Sequence, residues 1–165
     1  MNPLDCASTI HPAERTGTAP SSASPARWSN AVTGNTRYLP AVGRILIGGI
    51  FAMSGLTKAF AYAGTTAAIV AVGLPFAPLG WAVALAVEIG LGLLLLLGWR
   101  ARPAAAALAL WCLVTAVFFH RNFADRNMMI HFLKNLMLAG GLLQIVHFGA
   151  GAFSLDARRN AAGRS

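Results

Sequence analysis

The sequence predicts an all-α fold: a bundle of four transmembrane helices, both termini in the cytoplasm, with a short interfacial helix between helices 1 and 2. Three observations carry this expectation. The chain is 56% hydrophobic and 11% charged, whereas a soluble domain carries roughly 25% charged residues. Its apolar residues gather in four runs, each near the ~20 residues that cross a bilayer. Its basic residues lie between those runs, so the formal charge of +8 is a topology signal rather than a nucleic-acid footprint.

Residues 1–38 form a polar head rich in Ala, Ser, Thr and Pro, as in "TGTAPSSASPARWSN". With no apolar run of core-forming length, this head is expected to be a disordered, solvated tail, and no h-region follows a basic start to make it a signal peptide. The membrane domain is expected over 39–156. Its first span is "LPAVGRILIGGIFAMSGLTKAF", Leu39 to Phe60, and its second runs from Leu79 to Trp99. The third, Ala101 to Phe119, carries Pro103 in its first turn, where a missing N–H costs little. The fourth is "HFLKNLMLAGGLLQIVHFG", His131 to Gly149. Between spans one and two, "AYAGTTAAIVAVGLPFAPLG" is uncharged and too short to cross. It reads as an interfacial helix from Gly64 to Val72, ended by Gly73 and Pro75, that serves as a lid or connector. Residues 157–165 are a basic tail.

The connections separate by charge. Arg15, Arg27, Arg37, Arg44, Arg100, Arg102, Arg158, Arg159 and Arg164 fall on one side, against Lys58, Arg121, Arg126 and Lys134 on the other. By the positive-inside rule the first side is cytoplasmic, which fits an even number of spans. Of the two cysteines, Cys112 lies in an apolar run and Cys6 in the polar head. Neither has metal-ligand spacing, and both read as structural or incidental, with a redox role at Cys6 as the alternative.

Glu88 stands near the middle of "WAVALAVEIGLGLLLLLGW", where an ionised side chain costs roughly 2.5–3.5 kcal/mol and must face protein. Gly80, Ala84, Glu88 and Gly92 are spaced by four, so small residues share its stripe and permit close helix approach. Gly48, Ala52 and Gly55 form a similar stripe leading to Lys58, and Met137, Gly141 and Gln144 follow Lys134 in span four. These patterns predict an outer-facing polar pocket built from Lys58, Glu88, Lys134 and Asn135, bordered by His120. One carboxylate facing two ammonium groups would leave a spare positive charge and favour an anionic ligand. Two readings stand side by side: a buried network that sets helix register, or a cavity that binds a small substrate, a quinone head group or a proton.

His120 and His131 face each other across a short outer loop, a spacing that would admit a metal ion or a haem. No carboxylate or cysteine cluster completes such a site, Asp125 being a weak third ligand, so interfacial hydrogen bonding is the expected role and no metal is assigned. His147 reads as an interface residue near the inner end of span four. No Walker loop, dinucleotide fingerprint, nucleophile–base constellation or zinc-helix motif is present.

Taken in order, "GRILIGGIFAMSGLTKAF", the following "GLP", "VEIGLGLLLLLGWRARPAA", "FFHRNFADRNMMIHFLKNLMLAGGLL" and "GAGAFSLDARR" resemble the DoxX family of small bacterial membrane proteins over Arg44 to Arg159. The positions that match its motifs are Arg44, Gly55, Lys58, Pro75, Glu88, Gly98, His120, Phe132, Lys134, Asn135, Gly141, Ser154, Leu155 and Asp156. The resemblance implies a four-helix protein of the bacterial inner membrane. The family's name derives from a subunit associated with a thiosulfate:quinone oxidoreductase, and some members are linked to membrane complexes that handle thiol and oxidative stress. The expectation is therefore a redox-associated membrane subunit, quinone- or thiol-linked, without independent catalysis. No cofactor site is identifiable and quinone is compatible. The expected partners are lipid and either further copies of the chain or a larger redox complex. A small-solute carrier and a non-catalytic structural subunit are the alternatives.

Overall fold

The structure, a computed structural model, describes residues 36–163. The expected polar tail through residue 35, with Cys6, lies outside them, as do residues 164–165. Among the described residues every regular element is helical. Four helices are long and apolar enough to cross a membrane: α1 (Leu39–Phe60), α3 (Ala77–Leu97), α4 (Ala101–Phe119) and α5 (Arg126–Phe148). Two shorter ones, α2 (Tyr62–Ala71) and α6 (Leu155–Ala162), complete the described residues.

Local chemistry sets the ends of these helices. Pro40 occupies the first turn of α1 and Pro78 that of α3, positions where proline sacrifices no intrahelical hydrogen bond. α2 follows α1 after a one-residue break at Ala61, a little earlier than the Gly64 start expected from the sequence. α3 ends at Leu97, two residues before the expected Trp99, because Gly98 takes a left-handed φ of 68°. In that conformation Gly98 N–H and Trp99 N–H donate to the carbonyls of Leu95 and Leu94, which closes the helix end. α5 begins at Arg126, five residues before the His131 start expected from the sequence. There the Asp125 carboxylate accepts from Asn127 N–H at 2.8 Å and caps the helix. Hydropathy marks where lipid begins, whereas the cap marks where the helix begins.

α1 packs on α3 along the two small-residue stripes. A Cβ on Gly48 would lie 2.7 Å from the Gly92 carbonyl oxygen, and one on Gly92 would lie 2.9 Å from Ala52 N. The helix backbones are thus in contact, an approach that any larger side chain would prevent. α4 then packs on α3 and, most extensively, on α5. The core of this interface is again small: Ala101, Ala105, Leu108, Ala109 and Cys112 meet Ala139 and Leu142. Large apolar side chains such as Ile50, Leu110, Leu133 and Leu143 point outward, as expected where lipid replaces water as the surrounding solvent.

α5 is rotated differently from the expectation. It presents Leu138, Ala139, Leu142, Ile145 and Val146 to the core, and Lys134, Met137 and Gln144 are exposed. The apolar stripe fills the α4 interface, which leaves the Lys134–Met137–Gln144 stripe to the flank and the opposite side.

Candidate functional site

Polar side chains gather at two levels of the bundle. The first is built on the facing small stripes of α1 and α3. Gly55 lets α1 lie against Glu88 and Ile89, where a Cβ would sit 2.6 Å from the Ile89 side chain. Glu88 lies within a π-helical stretch of α3, Ala86–Leu91, a wider turn that re-aims side chains and recurs at functional sites. From the last turn of α1, Lys58 reaches inward rather than out to the interface. Its Nζ lies 2.7 Å from Glu88 Oε2 and donates to Ser54 Oγ at 2.8 Å. Trp111, on α4, donates its indole N–H to Glu88 Oε1 at 3.1 Å. One carboxylate thus joins three helices.

The side chain of Glu88 is 6% exposed and that of Lys58 31%, so the pair is asymmetric. Glu88 lies behind Lys58 and Trp111, which both face a cavity of about 900 Å³. Its walls are largely apolar and come from α1, α2, the Leu74–Phe76 turn, α3, α4 and the first turns of α5. Lys58 has three donor hydrogens and uses two on Glu88 and Ser54, which leaves one for a group in the cavity. His120, His131 and Asn135 line the far end. His120 follows Trp111 by nine positions, just past the end of α4, so the polar groups mark two ends of a space about 13 Å long at ~1.5 Å per residue. The two imidazoles stack with centroids 5.1 Å apart. Asn135 donates to the His131 carbonyl within α5 at 2.9 Å, and His120 Nδ1 is buried with no hydrogen-bond partner.

Of the five residues expected at the pocket, Lys58, His120 and Asn135 line the cavity and Glu88 supports it from behind. Lys134 does not join them: one residue from Asn135, it points about 100° away around α5 and is exposed. The spare positive charge expected at Glu88 is therefore absent, and the Lys58–Glu88 pair balances itself. His131, expected to make interfacial hydrogen bonds and weighed as a metal ligand but not counted with the pocket, lies on the cavity wall; among the described residues no group of three or more His, Cys, Asp or Glu could hold a metal ion. Sequence reasoning missed Trp111, Ser54 and Trp81, whose indole donates to the Lys58 carbonyl at 2.9 Å and fastens the end of α1. A tryptophan within an apolar span was the available signal, since its N–H needs a partner where there is no water.

The second level lies at the other end of the bundle. Arg44, counted by sequence as a flanking charge, is buried. Its Nη2 donates to the Phe153 carbonyl at 2.7 Å, while Nε and Nη1 have no partner. Asp156 accepts from Arg100 N–H and Ala101 N–H at 2.8 and 2.9 Å and so caps α4 from a distant part of the chain. That cap holds Arg100 at a left-handed φ of 47°. Ser154 caps α6 in turn, accepting from Ala157 N–H at 3.1 Å. These contacts tie side chains to backbone and fix the path of the chain at this end.

Four apolar helices around a buried carboxylate define an integral membrane protein, and the DoxX family profile matches residues 39–121, from the start of α1 through the end of α4. The chain belongs to the DoxX family. It is 39% identical to the inner membrane protein YqjF of Escherichia coli K12 over 115 residues, 70% of this chain and 87% of that one. It is 33% identical to the inner membrane protein YphA of the same strain over 122 residues, 71% of this chain and 87% of the relative. No solved structure matches the chain significantly.

Proposed function

We propose that this protein is a redox-associated subunit of the bacterial inner membrane that holds a quinone-like ligand in the Lys58 cavity, with both termini in the cytoplasm and the cavity facing the outer side. The observation that carries the reading is the cavity itself. Its volume of about 900 Å³ falls within the ~300–1,000 Å³ of small-molecule sites, which are mostly apolar with a few convergent polar groups. A flat ring with carbonyl or hydroxyl groups and an apolar tail matches that distribution. One ring oxygen would accept from Lys58, and the tail would lie against Ile69, Leu79 and Val83. Glu88 acts here as a positioning residue, holding Lys58 and Trp111. Electrons would come from a partner subunit.

Saturable quenching of tryptophan fluorescence by a short-chain ubiquinone, measured with the purified chain in lipid nanodiscs, tests this reading. Lys58→Gln should weaken binding about tenfold, the loss expected for one charge-assisted hydrogen bond, and Trp111→Phe should reduce the quenching amplitude. Quenching that fails to saturate, or that is unchanged in Lys58→Gln, counts against a quinone site. Substrate flux into liposomes holding only this protein would support a carrier instead. For topology, in a Cys6→Ser background, Asn127→Cys should react with an impermeant maleimide on intact cells and Asn160→Cys only after permeabilisation.

An assembly with further copies or a larger complex is supported by the outer face of α5. Gly140 there has nothing within 4 Å of an added Cβ, and the exposed Gln144 leaves an amide at membrane depth. Close packing and interhelical hydrogen bonding are the usual uses of such residues.

A further inference from the structure

A second cavity, of about 750 Å³, lies at the Arg44 end between the start of α4, the α5–α6 connection and α6. Its character is opposite to the first. Arg102 and Arg159 line it with Asn160 and the backbone of Gly149–Ala152. Arg102 is laid across Gly149, where a Cβ would be 3.4 Å from its Nε. Neither guanidinium has a hydrogen bond or ion pair with another described residue. The lone carboxylate on the wall, Asp156, is committed through both oxygens to the N–H groups that start α4. The cavity therefore holds two guanidinium groups against one carboxylate that is already engaged, and its excess charge is positive.

Its surroundings are those of a membrane surface. α4 begins and α5 ends here, and Phe148, 74% exposed, stands on the cavity rim. Phe153 and Leu155 are exposed beside it. A free anion would use the arginines and leave these apolar groups without a role. A phosphate carrying acyl chains would use both.

We propose that this cavity binds the phosphate of an anionic phospholipid headgroup, with Arg102 and Arg159 as the phosphate ligands, Asn160 as a donor to the headgroup and Phe148 packed against the acyl chains. The guanidinium forks suit a phosphate's paired oxygens. Lipid bound in this way fastens α6 to the end of the bundle.

The test is native mass spectrometry of the full chain, released from detergent after titration with phosphatidylglycerol or phosphatidylcholine. Phosphatidylglycerol should bind stoichiometrically and better than phosphatidylcholine. Arg159→Gln should weaken it about fivefold, and Arg102→Gln with Arg159→Gln about twenty-five-fold, following the usual contribution of one basic residue at an anionic membrane surface. Arg158→Gln, whose side chain is not on the cavity wall, is the control and should leave binding unchanged. If the double variant does not fold, Arg159→Gln alone decides, because the residue is exposed on α6. Equal binding of the two lipids, or of wild type and Arg159→Gln, overturns the proposal. Displacement of phosphatidylglycerol by millimolar inorganic phosphate would show a site for the anion alone and overturn the role of the acyl chains.

Discussion

The two ends of this bundle bury charge in opposite ways. At the Lys58 end, side chain meets side chain: an ammonium, a carboxylate and an indole from three helices satisfy one another beside an open space. At the Arg44 end, side chain meets backbone: a guanidinium donates to the Phe153 carbonyl, a carboxylate caps α4, and Gly98 is packed beneath them. A contact to backbone fixes the path of the chain, because the group it holds cannot rotate away. A contact between side chains fixes directions and leaves donor capacity for a third party. The difference teaches that a buried charge in a membrane protein need not mark a site. What distinguishes the Lys58 cluster is that its unused hydrogen belongs to a residue on a cavity wall, whereas the cavity at the other end is lined by Arg102 and Arg159 and not by the buried Arg44.

Mutations should separate the two ends, and the largest effect is expected at Gly98. Its φ is left-handed, and a Cβ would land within the Arg44 guanidinium and 2.6 Å from the Ser154 side chain. Gly98→Ala should lower stability by about 4 kcal/mol, combining backbone strain with overpacking, and should leave little protein monodisperse after detergent extraction. Next is Glu88→Ala, which strands the Lys58 ammonium and the Trp111 N–H. A cost of about 3 kcal/mol is expected from breaking a buried pair, read by denaturant titration in detergent. Glu88→Gln should cost less, because the amide oxygen can still accept from Trp111, and it should perturb the cavity more than the opposite end.

Asp156→Asn tests the Arg44 end more gently. One oxygen remains to cap α4, the charge that favours two N–H donors is gone, and about 2 kcal/mol should be lost. Ligand binding in the Lys58 cavity should be unaffected, and a large change there would erase the distinction between the ends. The smallest effect is one of pH. Burial pushes the His120 imidazole below its ordinary range, and the nearby His131 adds to the shift. The folded state therefore favours neutral His120, while the unfolded chain takes up its proton below about pH 6.5. Stability should decline as pH falls below that point and be flat above it, and His120→Gln should remove that part of the slope. A decline of equal size in His120→Gln would assign it to other groups.

Much of this architecture is legible in the sequence because a bilayer imposes its rules locally. Span length, the small-residue stripes of α1 and α3 and the interior direction of Glu88 follow from run length and spacing by three or four, with no knowledge of neighbouring helices. The termini of α3 and α5 were displaced from their hydropathy limits by Gly98 and Asp125, whose capping chemistry acts within a few residues and could have been weighed from sequence.

What only the tertiary structure decided is what each inward residue meets. The sequence alone put Lys58 and Glu88 within one interior. It offered no means to choose between Lys134 and Asn135, one residue apart, because the rotation of α5 is set by how Ala139 and Leu142 fit the small face of α4. Nor could it show that Trp111, 23 residues from Glu88, supplies the second donor, or that Asp156, 55 residues from Ala101, caps α4. Periodicity reports the face of one helix. Which faces come together depends on packing across the whole bundle, a long-range property that no local pattern contains.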